Sequence, residues 1–70
     1  MAREIPIRGE MIRLGELLKL AGVVGTGGEA KQLLATTEVL VNGEPDSRRG
    51  RQLHVGDEVR VGEEHLVITG

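Results

Sequence analysis

The chain has to reverse direction at Asn42-Gly43. These residues follow the apolar run Val39, Leu40 and Val41, and Asn-Gly after such a run is the strongest short-range signal for a two-residue hairpin. Both positions tolerate the positive φ that matches the turn to the twist of its strands. An antiparallel pair is thus expected in the middle of the chain, and the segments on either side must cover one face of it. Glu44-Pro45 reads as a short or edge return strand, since proline has no N–H to give to an inner ladder. Three arginines in four positions come next, Arg48, Arg49 and Arg51.

The material for covering that face is narrow in kind. The 70 residues include no Phe, Trp, Tyr or Cys, so Ile, Leu and Val must supply nearly all the buried apolar area. A chain this short buries only about 60% of its unfolded surface. Without cysteine there is neither a disulfide staple nor a thiolate metal site.

Before the hairpin the apolar period is helical. From Ile12 onward, Leu14, Leu17, Leu18 and Ala21 fall at i, i+3, i+4 and i+7, with Arg13, Glu16 and Lys19 turned outward and Gly22 as the stop. A second helix follows the capping-box pattern Thr26 to Glu29, carries Ala30, Leu33 and Leu34 on one face, and ends near Ala35 to Thr37. Gly27 and Gly28 in its first turn would let another backbone approach closely. Ahead of both, Arg3 to Arg8 alternates around Pro6 with Ile5 and Ile7 on one face, which suits an edge strand ending at Gly9-Glu10.

After the arginines the period returns to two. Leu53 and Val55 lead to a Gly56-Asp57 turn, a strand Glu58 to Val61, a turn at Gly62-Glu63-Glu64 and a last strand Leu66 to Thr69. The expected fold class is α+β: two N-terminal helices packed on a small, mostly antiparallel sheet of short strands, forming one domain over residues 1–70.

Several function classes are disfavoured. No apolar run approaches the roughly 20 residues of a membrane span, and M-A-R-E-I-P-I-R lacks the apolar centre of a signal peptide, so a cytoplasmic protein is expected. Ser47, Asp46 and His54 can be written as nucleophile, acid and base, but they share one loop, and a turn serine is the commoner reading. His54 and His65 lack metal-ligand spacing. No enzyme activity, metal, cofactor or small-molecule substrate is expected. G-T-G-G, Gly25 to Gly28, fits neither the Walker nor the dinucleotide pattern.

Two features point to phosphate instead. Arginine is planar, always charged and bidentate, which suits phosphate oxygens, although a short basic loop taken alone is more often a solvated face, and Glu44 and Asp46 just upstream could neutralise it. The start of the second helix exposes unpaired N–H groups, with Lys31 in its second turn. A net charge of −2 argues against indiscriminate nucleic-acid binding. Without aromatics to stack on bases, an RNA partner would be read through backbone and shape, which means structured RNA.

The order I-R-L-G-E-L-L-K-L-A, T-G-G-E-A-K, V-N-G-E, R-R-G-R and G-D-E-V, from Ile12 to Val59, resembles the S-four RNA-binding domain family, named after small-subunit ribosomal protein four, and within it the short stand-alone bacterial members. The resemblance implies a non-catalytic module whose partner is structured RNA, with ribosomal RNA or the ribosome foremost, met by the second helix and the neighbouring hairpin loop. Carried over by position, it implies contacts from Thr26, Lys31, Asn42, Arg48, Arg49 and Arg51, with Asn42 also serving the turn. Where many relatives have Ser-Arg, this chain has Thr26-Gly27, which shifts weight to the loop arginines. Two other readings compete: a ubiquitin-like sulfur carrier, disfavoured by the helix-helix start and the single Gly70, and a regulatory module using the same arginines on an acidic protein.

Overall fold

In the computed structural model, which describes residues 2–70, the hairpin forms where Asn42-Gly43 requires it. Strand β3 (Val39–Val41) turns into β4 (Glu44–Pro45), with Val41 opposite Glu44. Asn42 has φ +51° and Gly43 φ +85°, the two left-handed residues of a type I′ turn. The Asn42 amide clamps this turn to the next strand: its Oδ1 accepts from Glu58 N at 2.9 Å and its Nδ2 donates to Asp57 Oδ1 at 3.1 Å.

Five strands make one sheet. Besides β3 and β4 it contains β1 (Arg3–Pro6), β6 (Glu58–Val61) and β7 (Glu64–Thr69), in the order β1-β7-β6-β3-β4. All neighbours are antiparallel except β1 and β7, which run parallel with Ile5 opposite Ile68. Pro6 therefore sits on an edge, where its missing N–H costs no ladder bond. Alternation puts Ile5, Val39, Val41, Val59, Val61, Leu66 and Ile68 on one buried face.

Two helices cover that face. Helix α1 spans Leu14–Leu20 and α2 spans Gly27–Thr36. Leu14, Leu17, Leu18, Ala21, Ala30 and Leu34 join the sheet residues in a single apolar cluster. Helix α1 ends in a Schellman motif: Gly22 has φ +74°, Gly22 N donates to Lys19 O and Val23 N to Leu18 O. Arg3 of β1 donates to the carbonyl of Ala21 at 2.8 Å, so a cation meets the negative end of the helix. Helix α2 is capped as expected, with Thr26 Oγ1 accepting from Glu29 N at 3.1 Å.

The two helices are not strictly N-terminal: the expected edge strand precedes them as β1, and so does an unexpected strand, β2 (Ile12–Arg13). Ile12 and Arg13, which fit the helical period, form a two-residue ladder with β5 (Gln52–Leu53). The helix starts only at Leu14, where β5 lets go of the chain. Val55 is half-exposed, 54%, in the turn before β6. Gly27 and Gly28 receive no close backbone neighbour: a Cβ at Gly27 would meet nothing within 4 Å, and one at Gly28 only Thr26 Oγ1 at 3.9 Å.

Leu53 is fully buried at the strand that binds the second half of the chain to the start of α1. Leu53→Ala is expected to cost about 2–5 kcal/mol, comparable with the roughly 3–5 kcal/mol available to a core of this size. Urea titration followed by circular dichroism at 25 °C should then show the variant largely unfolded before denaturant is added.

Candidate nucleic-acid interface

The arginine loop is fastened at its backbone before any side chain is considered. A helix start leaves N–H groups without partners, and at α1 the loop supplies them: Leu14 N donates to Arg51 O and Gly15 N to Arg49 O, each at 2.9 Å. Arg51 N donates to Arg48 O at 3.1 Å, closing a turn with Arg49 and Gly50 at its tip. The first turn of α1 and the loop are thus one hydrogen-bonded unit.

The three loop arginines have different surroundings. Asp46 Oδ1 accepts from Arg48 N at 2.9 Å and Arg48 Nε at 3.1 Å, and Oδ2 accepts from Arg48 Nη2 at 2.8 Å and Arg51 Nη1 at 2.7 Å. The Arg48 side-chain bonds hold the Asp46 carboxyl well below the usual carboxylate range, with further help from the Arg48 backbone N–H and from Arg51, against an opposing push from burial. Arg48 remains 72% exposed at its side chain and Arg51 34%, so both keep N–H groups facing solvent. Arg49 makes no ion pair among the described residues.

Arg49 and Gly50 form one wall of an open cleft of about 450 Å³. Arg13, Glu16 and Lys19 come from the β2–α1 segment, and Gly27 and Ala30 from α2. Three cations from two distant parts of the chain therefore border one recess, opposed by a single carboxylate, Glu16, whose Oε1 accepts from Arg13 N. A second recess, of about 370 Å³ between the end of α2 and β4, is lined by no Lys or Arg. The sequence places Arg13 and Lys19 only on the solvent side of a helix. Nothing in their local pattern distinguishes them, because what brings them to Arg49 is the β2–β5 ladder.

The remaining candidates, Lys31, Thr26 and Asn42, do not line this cleft. Lys31 is exposed on α2, one helical turn beyond Gly27 and on the same side. The Thr26 hydroxyl caps α2 and lies 3.5 Å from Glu29 Oε1, which sets a carboxylate where an anion would approach the helix start. Asn42 has both amide atoms engaged in the β3–β4 turn. Asp46, Ser47 and His54 do not assemble as a relay: Asp46 faces the arginines, while His54 lies beside Asp57 with Nδ1 3.9 Å from Oδ2.

Charge is segregated along the chain in a way that net charge conceals. Residues 11–35 and 46–53, which contain the helices and the loop, hold six of the nine Lys and Arg but only three of the eleven Asp and Glu. The sheet strands and their turns hold most of the acid. An overall −2 is therefore compatible with a locally basic surface.

A family model described as the S4 domain matches residues 5–69. The chain is also 59% identical over 61 residues to a Bacillus subtilis (strain 168) protein named "Probable ribosome maturation protein RlbA", covering 87% of this chain and 86% of that one. No helix among the described residues is long and apolar enough to cross a membrane.

The Asp46 pairing sets a pH dependence whose sign follows from its direction. A carboxyl held below its unfolded value binds fewer protons in the native state, so its contribution is complete above the unfolded pKa of about 3.9 and fades as pH falls below it. Urea midpoints measured from pH 6 down to pH 2 should decline for the wild type. Asp46→Asn should start lower at pH 6 and show a shallower decline, converging on the wild type in acid.

Proposed function

The chain belongs to the S4 domain family, and from that premise we propose that it is a non-catalytic module that binds structured RNA through phosphates and shape. The observation that carries this reading is the convergence of Arg13, Lys19 and Arg49 on one cleft. Arg48 and Arg51 flank the Arg49-Gly50 tip in the chain, with their guanidinium groups held by Asp46, and Lys31 adds an exposed cation on α2. Thr26 and Asn42 act as scaffold residues in this reading, since their polar atoms are occupied within the protein.

Backbone reading follows from composition as well as geometry. A chain without Phe, Tyr or Trp has no platform for stacking splayed bases. A fixed array of cations instead matches phosphates held at the spacing of a folded RNA. The name of the Bacillus relative speaks of ribosome maturation, so ribosomal RNA is the class of target we infer, reached in the cytoplasm.

Fluorescence anisotropy on labelled ribosomal RNA hairpins, with poly(U) as the unstructured comparison, tests the reading. With three to five phosphate contacts the plot of log K against log salt should have a slope of about −2 to −4.5. Arg13→Ala/Lys19→Ala/Arg49→Ala should flatten that slope by roughly two to three units. Arg60→Ala, on the sheet strand β6, should bind as the wild type does. Equal binding by the triple variant would remove the site, and a preference for poly(U) would remove reading by shape.

A further inference from the structure

Gly15 has no side chain, and the space a side chain would take is filled by Arg49. A Cβ built on Gly15 would lie 2.5 Å from Arg49 Cγ, 3.3 Å from Arg49 Cδ and 3.4 Å from Arg49 O. Cγ is the second carbon of the stem, so a Cβ there cannot be avoided by bending the far end of the side chain. Either the whole stem leaves the first turn of α1 or the loop backbone shifts. The backbone is held by Gly15 N donating to Arg49 O at 2.9 Å, so the stem is the part that yields.

Resting on the RNA-binding reading above, we propose that Gly15 is a positioning residue that seats the Arg49 stem on α1 and so aims the guanidinium into the phosphate cleft. The need for a seat follows from the differences among the loop arginines. Asp46 orders the guanidinium groups of Arg48 and Arg51. Among the described residues no carboxylate pairs with Arg49, and a free arginine is among the side chains that lose most entropy when immobilised. Packing the stem against a bare helix turn fixes its direction before RNA arrives, which lowers the ordering cost of binding. It does so without a counter-ion, so the full charge stays available to a phosphate. Glycine within a helix is otherwise unfavourable relative to alanine, and this seat is a physical reason for its presence at the second residue of α1.

A double-mutant cycle on a ribosomal RNA hairpin tests the seat. Arg49→Ala should weaken binding about tenfold, the change one charge-assisted contact supports, and reduce the salt slope by roughly 0.7–0.9. Gly15→Ala, which leaves every charge in place, should also lower the salt slope and weaken binding by a comparable factor. In the Arg49→Ala background, Gly15→Ala should cause no further loss, and it should raise the thermal midpoint because the clash has gone and alanine favours the helix. Loss of fold alone changes the active fraction and leaves the salt slope of the bound species intact, so the slope separates positioning from destabilisation.

If Gly15→Ala does not fold, folding of the Gly15→Ala/Arg49→Ala protein supports the seat, and failure of both overturns it. A wild-type salt slope for Gly15→Ala, beside a reduced slope for Arg49→Ala, overturns the seat while the RNA reading stands. Wild-type binding by Arg49→Ala overturns the seat and removes Arg49 from the interface, whereas failure of the wild-type protein to bind any RNA hairpin overturns the RNA reading itself.

Discussion

The structure depends on the way the first turn of α1 is satisfied. Its N–H groups at Leu14 and Gly15 donate to carbonyls of Arg51 and Arg49, not to a capping side chain of its own. That exchange, continued by the pairing of Ile12 with Leu53 and Arg13 with Gln52, joins the N-terminal segment to the loop after the hairpin. Unpaired backbone groups at a helix start are costly where water is excluded, so the two segments stabilise each other. The loop is consequently part of the folded frame, although Ser47, Arg48 and Arg49 are exposed.

Placing charge on such a frame has a clear physical consequence. Three arginines in a free loop would sample many directions and repel one another. Here Asp46 pairs with two of them, and the glycine at the start of α1 leaves room for the stem of the third. One carboxylate shared by Arg48 and Arg51 leaves that pair with a net positive charge, and Arg49 keeps its charge without an ion pair among the described residues. The acid that makes the whole chain negative resides mostly on the sheet strands and their turns, so the helices and loop can face a polyanion while the rest of the molecule does not.

The local elements were legible because their signals are local. Asn42-Gly43, the Thr26–Glu29 cap, Gly22 after the apolar stripe of α1 and the alternation in β6 and β7 each produced the element expected of them. The misreadings also had physical causes. Ile12 and Arg13 fit a helical period, but β5 draws them into a ladder. The glycine that accommodates a close neighbour is Gly15, not Gly27 or Gly28, since only a contact across the fold identifies where space is scarce. Of the two acids just upstream of the arginines it is Asp46, enclosed by Arg48 and Arg51, and not Glu44 that pairs with them.

By itself the sequence determined the faces: which residues of each helix and strand turn to the core, where the chain reverses, and that any nucleic acid would be met by arginine without aromatic stacking. Those features follow from periods of two and 3.6 and from backbone preferences that each residue carries wherever it stands. The tertiary structure alone decided which faces meet. The parallel closure of β1 on β7, the β2–β5 ladder and the gathering of Arg13, Lys19 and Arg49 around one cleft all join segments remote in the chain. Such pairings are chosen by the register that buries every apolar face at once, a condition on the whole molecule that no single stretch of residues contains.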